Sequence, residues 1–216
     1  MNVQPTQSIR RPFFAALALF CIAGGTLATD TASPLLAAMS EKYNPQASFS
    51  TKFSLTIFWA VREKQEKKQG SIALAPHERF RVTAGKETYV SNGSLFWTWN
   101  ASTNQVVIKP VAALESKFLP SQIFSKYVVS CPFREEKREG ETVLFSWKSD
   151  SADAPYPAVR IWVRRKNAEI IRCEMTDRNE NRFDYSFTAT VFNAAISKEE
   201  FEFAIPKNAS IVDLRK

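Results

Sequence analysis

The sequence predicts a mainly β protein: one large, curved, antiparallel sheet of about eleven strands with two or three short helical segments laid against it. Three observations predict it. From Phe49 to Val61 the odd positions (Phe49, Thr51, Phe53, Leu55, Ile57, Trp59, Val61) are all apolar or β-branched, and those between are mostly polar or small. That is the period of a strand with one apolar face, and the three- and four-residue spacing of a helix is absent. Six strand-like runs joined by short turns fall between Phe49 and Lys109, the pattern of an antiparallel meander. A second long alternating run, Phe183, Tyr185, Phe187, Ala189 and Val191, comes late in the chain.

The chain has 216 residues, a length that suits one globular domain with or without a leader. Its start reads as a secretory leader. Arg10 and Arg11 form the positive region, Pro12 to Ala23 is apolar, and Thr26 and Ala28 fit a cleavage site after Ala28. The apolar run is shorter than the roughly 20 residues that a spanning helix needs. The expected division is therefore a signal peptide over residues 1–28 and a single domain over 29–216. The formal net charge is +7, spread along the chain and weak evidence for any anionic partner.

Ser33 with Pro34 opens a short helix, a standard cap-and-first-turn pair, with Leu35, Leu36, Met39 and Tyr43 on one side. Asn44-Pro45 ends it. After the opening strand, Arg62 to Gln69 reads as a solvated hairpin tip. Pro76-His77-Glu78 turns the chain between strands marked by Ile72 with Leu74 and by Phe80 with Val82. Asn92-Gly93 is a strong two-residue hairpin signal, followed by the alternating Leu95, Trp97 and Trp99. Val111 to Tyr127 changes character: Leu114, Phe118, Leu119, Ile123, Phe124 and Tyr127 recur at helical steps, and Pro120 divides them into two pieces. Such an insert cannot lie in the sheet and must lie across a face. Strands are expected again at Val128–Phe133, followed by a charged turn from Arg134 to Gly140, and at Val143, Val159 and Ile170. Phe201, Phe203 and Ile205 are expected to close the sheet.

Several chemistries are excluded by inventory. His77 is the only histidine, sits in a turn, and has no G-x-S-x-G elbow to serve. A hydrolytic envelope enzyme would have to work through it. Clustered His or Cys metal sites and glycine-rich phosphate loops are absent, so no metal and no cofactor is expected. The aromatics share a face with Leu, Ile and Val rather than with a basic stripe, which argues against nucleic acid. In an exported chain Cys131 and Cys173 form an even pair, either a disulfide or two buried thiols. The apolar face itself has two readings: packed core, or the lining of a cavity for a lipid-like ligand.

The order of several segments also resembles one family. Gly70-Ser-Ile-Ala-Leu-Ala-Pro76 followed by Arg79-Phe80-Arg81, Val90-Ser-Asn92-Gly93 with Leu95-Phe96-Trp97-Thr-Trp99, and Gln105-Val-Val-Ile-Lys-Pro110 are similar to the LolA-type periplasmic lipoprotein carriers. Leu119-Pro120-Ser-Gln-Ile123-Phe124, Glu174-Met175-x-Asp177, Phe192-Asn193 and Phe201-x-Phe203-x-Ile205-Pro206 add to the likeness, which covers most of residues 33–214. The resemblance implies an open, incomplete β-barrel covered by short lid helices, with no enzymatic activity. Such carriers take lipidated proteins from an inner-membrane lipoprotein-releasing ABC transporter to an outer-membrane receptor. On that basis the expected cavity liners are Phe53, Leu55, Ile57, Trp59, Phe80, Trp97 and Phe203, and the expected lid residues are Leu119, Ile123 and Phe124. A periplasmic monomer is expected. Some family members place an arginine before the turn proline to hold the lid closed; here that position is Ala75. A regulatory binding module of the same fold, of the RseB type, is the rival reading. Such proteins carry a second C-terminal domain, and the end of this chain at Lys216 favours the carrier.

Overall fold

The computed structural model describes residues 33–44, 46–114, 131–151 and 154–215. Within them a nine-residue helix, α1 (Pro34–Lys42), precedes twelve strands. These are β1 (Phe49–Trp59), β2 (Lys64–Ala75), β3 (Arg79–Ala84), β4 (Glu87–Asn92), β5 (Leu95–Asn100) and β6 (Gln105–Pro110), then β7 (Arg134–Glu139), β8 (Thr142–Lys148), β9 (Ala158–Arg164), β10 (Glu169–Thr176), β11 (Arg182–Phe192) and β12 (Ser210–Asp213). All join one sheet in the order β12-β6-β5-β4-β3-β2-β1-β11-β10-β9-β8-β7. The two end strands do not pair with each other, so the sheet is open. Neighbours are antiparallel except β12, which runs parallel to β6 with Ser210 opposite Gln105.

The register explains the core. Partners directly opposite one another point to the same face. Phe53 faces Phe187, Leu55 faces Tyr185 and Ile57 faces Phe183 on β11. Beyond them Cys173 pairs with Tyr185 and Ile161, and Phe145 with Ile161. On the other side Phe49 pairs with Leu74, Leu74 with Phe80, Phe80 with Ser91 and Ser91 with Phe96. These side chains make one apolar inner wall, on which Phe145, Ile161 and Val163 have no exposed area. The outer face over β9–β11 is charged instead. Arg172 holds Asp184 through two hydrogen bonds of 2.8 and 2.7 Å, and its guanidinium stacks on the Trp162 ring at 4.2 Å.

Helix α1 lies against the inner wall because its apolar stripe has nowhere else to go. Met39 is fully buried, Tyr43 packs edge-on against Phe49 and Phe192, and the Ile170 N–H donates to the Tyr43 hydroxyl at 3.0 Å. Burial pushes the pKa of that hydroxyl well above its ordinary value.

Four local expectations are corrected, the last of them in part. The charged run after Val61 is not all hairpin tip, because β2 begins at Lys64 and pairs with β1 from Trp59 onward. Arg134–Glu139, expected as a turn, is the edge strand β7, and all six of its side chains are exposed. Charge does not forbid a strand; on an edge it discourages further pairing. Phe201, Phe203 and Ile205 do not close the sheet. Lys198–Phe201 is a 3-10 turn, the chain then runs extended, and the closing strand is Ser210–Asp213. Of the strand expected at Val128–Phe133, residues 128–130 lie outside the described residues, and 131–133 are not strand.

Candidate functional site: the apolar inner wall

Strand β1 sets the centre of the wall. Phe53, Leu55 and Ile57 are buried, and Phe80 on β3 is 1% exposed. Trp59, at the end of β1, is half-buried; its ring meets Phe183 at 6.2 Å and its indole N–H donates to Glu66 Oε2 at 3.3 Å. The wall is rich in paired rings. Tyr185 stacks on Phe187 at 6.0 Å and lies 5.7 Å from Phe53, Tyr89 stacks on Phe96 at 6.4 Å, and Tyr156 meets Phe183 edge-on at 5.9 Å. Phe183, Tyr185, Phe187, Phe96 and Tyr89 are thus members of the wall that composition and alternation did not single out as liners.

Trp97 and Phe203, expected on this wall, lie on the opposite face. Neighbours along a strand alternate sides, so Phe96 enters the inner cluster while Trp97 joins Val90, Val106 and Ile108 in a separate outer one. Phe203 covers that outer cluster, 6.4 Å from the rings of both Trp97 and Trp99. The expected lid residues Leu119, Ile123 and Phe124 lie outside the described residues. Cys131 and Cys173 are not disulfide-bonded in this structure. Cys173 is buried in the wall, and burial, with Asp184 and Glu174 nearby, pushes its thiol up to about 12. His77 is exposed at its turn, with a left-handed φ of 64°. Ala75, before Pro76, pairs with Arg79. Among the described residues no cluster of His, Cys, Asp and Glu is placed to hold a metal ion.

Glycine is required at one point of the wall. A Cβ on Gly70 would strike the Thr83 carbonyl and come within 2.6 Å of the Phe53 ring, so the ring lies directly over bare backbone. Near α1 a cavity of about 10 Å³ remains, lined by Tyr43, Phe49, Thr51, Ile170, Phe187 and Thr190. That is room for about one water molecule. Among the described residues α1, Val111, Leu114, Cys131 and Phe133 pack on the wall, while Trp59, Tyr89, Phe183, Tyr185 and Phe187 keep part of their surface exposed. A ligand for this wall must exchange with apolar groups where they already cover it.

Fold and wall together define an open, unclosed twelve-stranded sheet with an apolar inner face. The model of the outer membrane lipoprotein carrier protein LolA family matches residues 45–204, and the chain belongs to that family. An outer-membrane lipoprotein carrier protein from Chromobacterium violaceum is 25% identical over 209 residues, 94% of this chain and 98% of that protein. Among solved structures, an uncharacterized conserved protein from Thermus thermophilus superposes with a TM-score of 0.52 at 16% identity, covering 82% of this chain and 96% of that one. A LolA superfamily protein from Nitrosomonas europaea aligns with a TM-score of 0.42 at 11% identity, over 78% of this chain and 96% of its own.

Proposed function

We propose that this protein is a periplasmic, non-enzymatic carrier that binds the acyl chains of lipidated proteins on its inner wall and moves them from the inner to the outer membrane. The observation that carries the reading is the continuity of the wall. Phe53, Leu55 and Ile57 on β1 are flanked by the aromatic row of β11 on one side and by Phe80 and Phe96 on the other. Family membership supports the same role.

The energetics suit a carrier. Each buried methylene is worth about 0.8 kcal/mol, so a long acyl chain does not cross water unaided. Uncovering the wall costs about 25 cal/mol per Å² of apolar surface exposed. A ligand that replaces one apolar cover with another therefore gains only the difference, which keeps binding reversible. Leu119, Ile123 and Phe124 are proposed as part of the displaceable cover. The donor would be a lipoprotein-releasing ABC transporter in the inner membrane and the acceptor an outer-membrane receptor. Residues 1–28 would direct export and be removed, and the carrier would act as a monomer.

The test is native mass spectrometry of the purified protein with a triacylated lipopeptide and with the same peptide lacking its acyl chains. A single-ligand adduct with the acylated peptide alone is expected. No adduct with either peptide overturns the reading.

A further inference from the structure

The inner wall does not end alike at its two sides. Toward β8 and β9 it is sealed, with Phe145, Ile161 and Val163 fully buried. Toward the other edge it opens. Partners directly opposite one another share a face, and one row runs Ile72, Val82, Tyr89, Thr98, Val107 and Val212, from β2 out to the end strand β12. Ile72 is buried, whereas Val212 is 37% exposed. Leu214 comes two residues later, its N–H still donating to the Ile108 carbonyl at 2.8 Å, and is 52% exposed. Alternation puts Ile211 and Asp213 on the outer face instead, opposite Val106 and Ile108 of the outer cluster. Singly exposed apolar side chains are ordinary. Val212 and Leu214 differ in continuing the face of the core itself, which becomes an uncovered shelf at the β6–β12 margin.

A cation stands on the same shelf. Lys109 pairs with Phe96, Phe96 with Ser91 and Ser91 with Phe80, so the Lys109 side chain is on the inner face. Its ammonium lies 5.8 Å from the centroid of the Phe96 ring. Among the described residues no carboxylate pairs with it. Lys68, on the same face, is held between Glu66 and Glu87, and the acid of β12, Asp213, faces outward and accepts from Arg215. A lysine of this kind keeps its stem along apolar surface and its charge at the rim. An anion arriving there gains a charge contact without first displacing a carboxylate.

We propose that the β6–β12 margin is the mouth of the acyl site. The ligand's chain enters the wall there, covering Val212 and Leu214, and an anionic group at its head, a carboxylate or a phosphate, rests on Lys109. Covering the two side chains removes apolar surface from water, and the unpaired ammonium selects the sign of the head. The ligand class is therefore an anionic amphiphile, with its chain on the wall and its charge at the open edge. The inference rests on the acyl-binding role proposed above and adds to it the charge of the head and the place where it lies.

The test compares amphiphiles of one chain length: laurate, dodecyl phosphate, dodecanol and dodecylamine, each titrated against the purified protein by isothermal calorimetry near neutral pH. Laurate, dodecyl phosphate or both should bind about fivefold more tightly than dodecanol, the worth of one partly exposed ion contact, and dodecylamine no more tightly than dodecanol. The order of the two anions tells a carboxylate head from a phosphate head. Lys109→Met should bring the anions down to the dodecanol level, and Lys109→Arg should restore them. Leu214→Asp and Ile211→Asp place the same charge on one edge, at positions 52% and 51% exposed but on opposite faces. Leu214→Asp should weaken laurate about tenfold, through lost apolar contact and like charge, and Ile211→Asp should leave it unchanged. Circular dichroism shows whether each variant is folded. Anions that bind the wild-type protein no more tightly than dodecanol, or equal losses in the two aspartate variants, overturn the mouth and leave acyl binding standing. If no amphiphile binds, the acyl-binding role itself fails.

Discussion

The Arg81 guanidinium donates to the main-chain carbonyl of Glu202 at 2.8 Å and, through Nε, to that of Glu200 at 2.6 Å. Arg81 pairs with Ala73 and Val90, which places it on the outer face, away from the inner wall. It therefore cannot latch anything over that wall. What it ties down is the segment after the 3-10 turn at Lys198–Phe201. Arg79 stacks on Phe201 at 5.7 Å, and Phe203 follows over Trp97 and Trp99. The two arginines after the turn proline hold the C-terminal strap to the outside of the sheet.

Replacing Arg81 with alanine should loosen this strap. Two carbonyls lose charge-assisted donors, and Phe203 loses its anchor over the outer cluster. The expected cost is about 1–2 kcal/mol, at the lower end for such bonds because the side chain is partly exposed. Urea unfolding followed by tryptophan fluorescence measures it. Arg81→Lys should recover only part of the loss, since an ammonium does not match the two-carbonyl geometry. Unchanged stability in Arg81→Ala would show that the strap holds without it.

Gly70→Ala should be more damaging than any surface change. The added methyl meets the Thr83 carbonyl across the β2–β3 pair and the Phe53 ring on the wall. Backbone cannot move aside without breaking the ladder, so a loss of about 2–4 kcal/mol is expected. The same substitution at Gly140 meets open space, though at a left-handed φ of 53°, and should cost about 1 kcal/mol. Equal losses at the two sites would mean that the Phe53 contact carries no weight.

Alternation made β1 legible because it is strict and one-sided: the odd positions are apolar and the core lies beneath them. The same reasoning failed on β5, Leu95–Asn100, where both parities carry large apolar side chains. There the sheet is covered on both faces, so Trp97 and Phe96 are each buried, at 7% exposed, against different clusters. No pattern along one strand says which face is the inner one. The same outer cluster explains why Phe201-x-Phe203 resembles a strand: two aromatics two residues apart cover a sheet without joining it. The ion-pair cluster of Glu66, Lys68 and Glu87 was not legible for another reason. Lys68, Glu66 and Glu87 become neighbours only through the register of β1 to β4, and along the chain they read as ordinary surface charge.

The two faces can be told apart experimentally without altering the protein. A lipopeptide carrying a diazirine in its acyl chain should, on illumination, label inner-wall side chains of β1, β3 and β11, including Phe53, Phe80 and Phe187. Trp97 and Phe203 should stay unlabelled, because the sheet lies between them and the inner wall. Peptide mapping by mass spectrometry gives the answer. Labels concentrated at Trp97 or Phe203 would move the lipid site to the outer face.

Cys173 supplies a prediction in pH. Burial favours the neutral thiol, and its pKa rises from an ordinary 9.0 to about 12. The thiolate is the reactive form. At pH 8 in the folded protein that form is rarer than in a free thiol by about a factor of a thousand. Ellman's reagent under reducing-agent-free, folded conditions should therefore leave Cys173 unmodified and reach it only on unfolding in urea. The same shift fixes the sign of the stability effect. Between about pH 9 and 12 the folded thiol keeps a proton that the unfolded one has lost, so stability is full below pH 9 and falls as pH rises, by up to about 1.4 kcal/mol per pH unit. The raised hydroxyls of Tyr43 and Tyr185 act in the same direction above their ordinary value of 10.0. Cys173→Ala should remove the thiol contribution and flatten the decline around pH 9, a full unit below the ordinary tyrosine value, while the decline above pH 10 remains. An unfolding midpoint that declines equally with and without the thiol would show that Cys173 is not shielded as the wall implies.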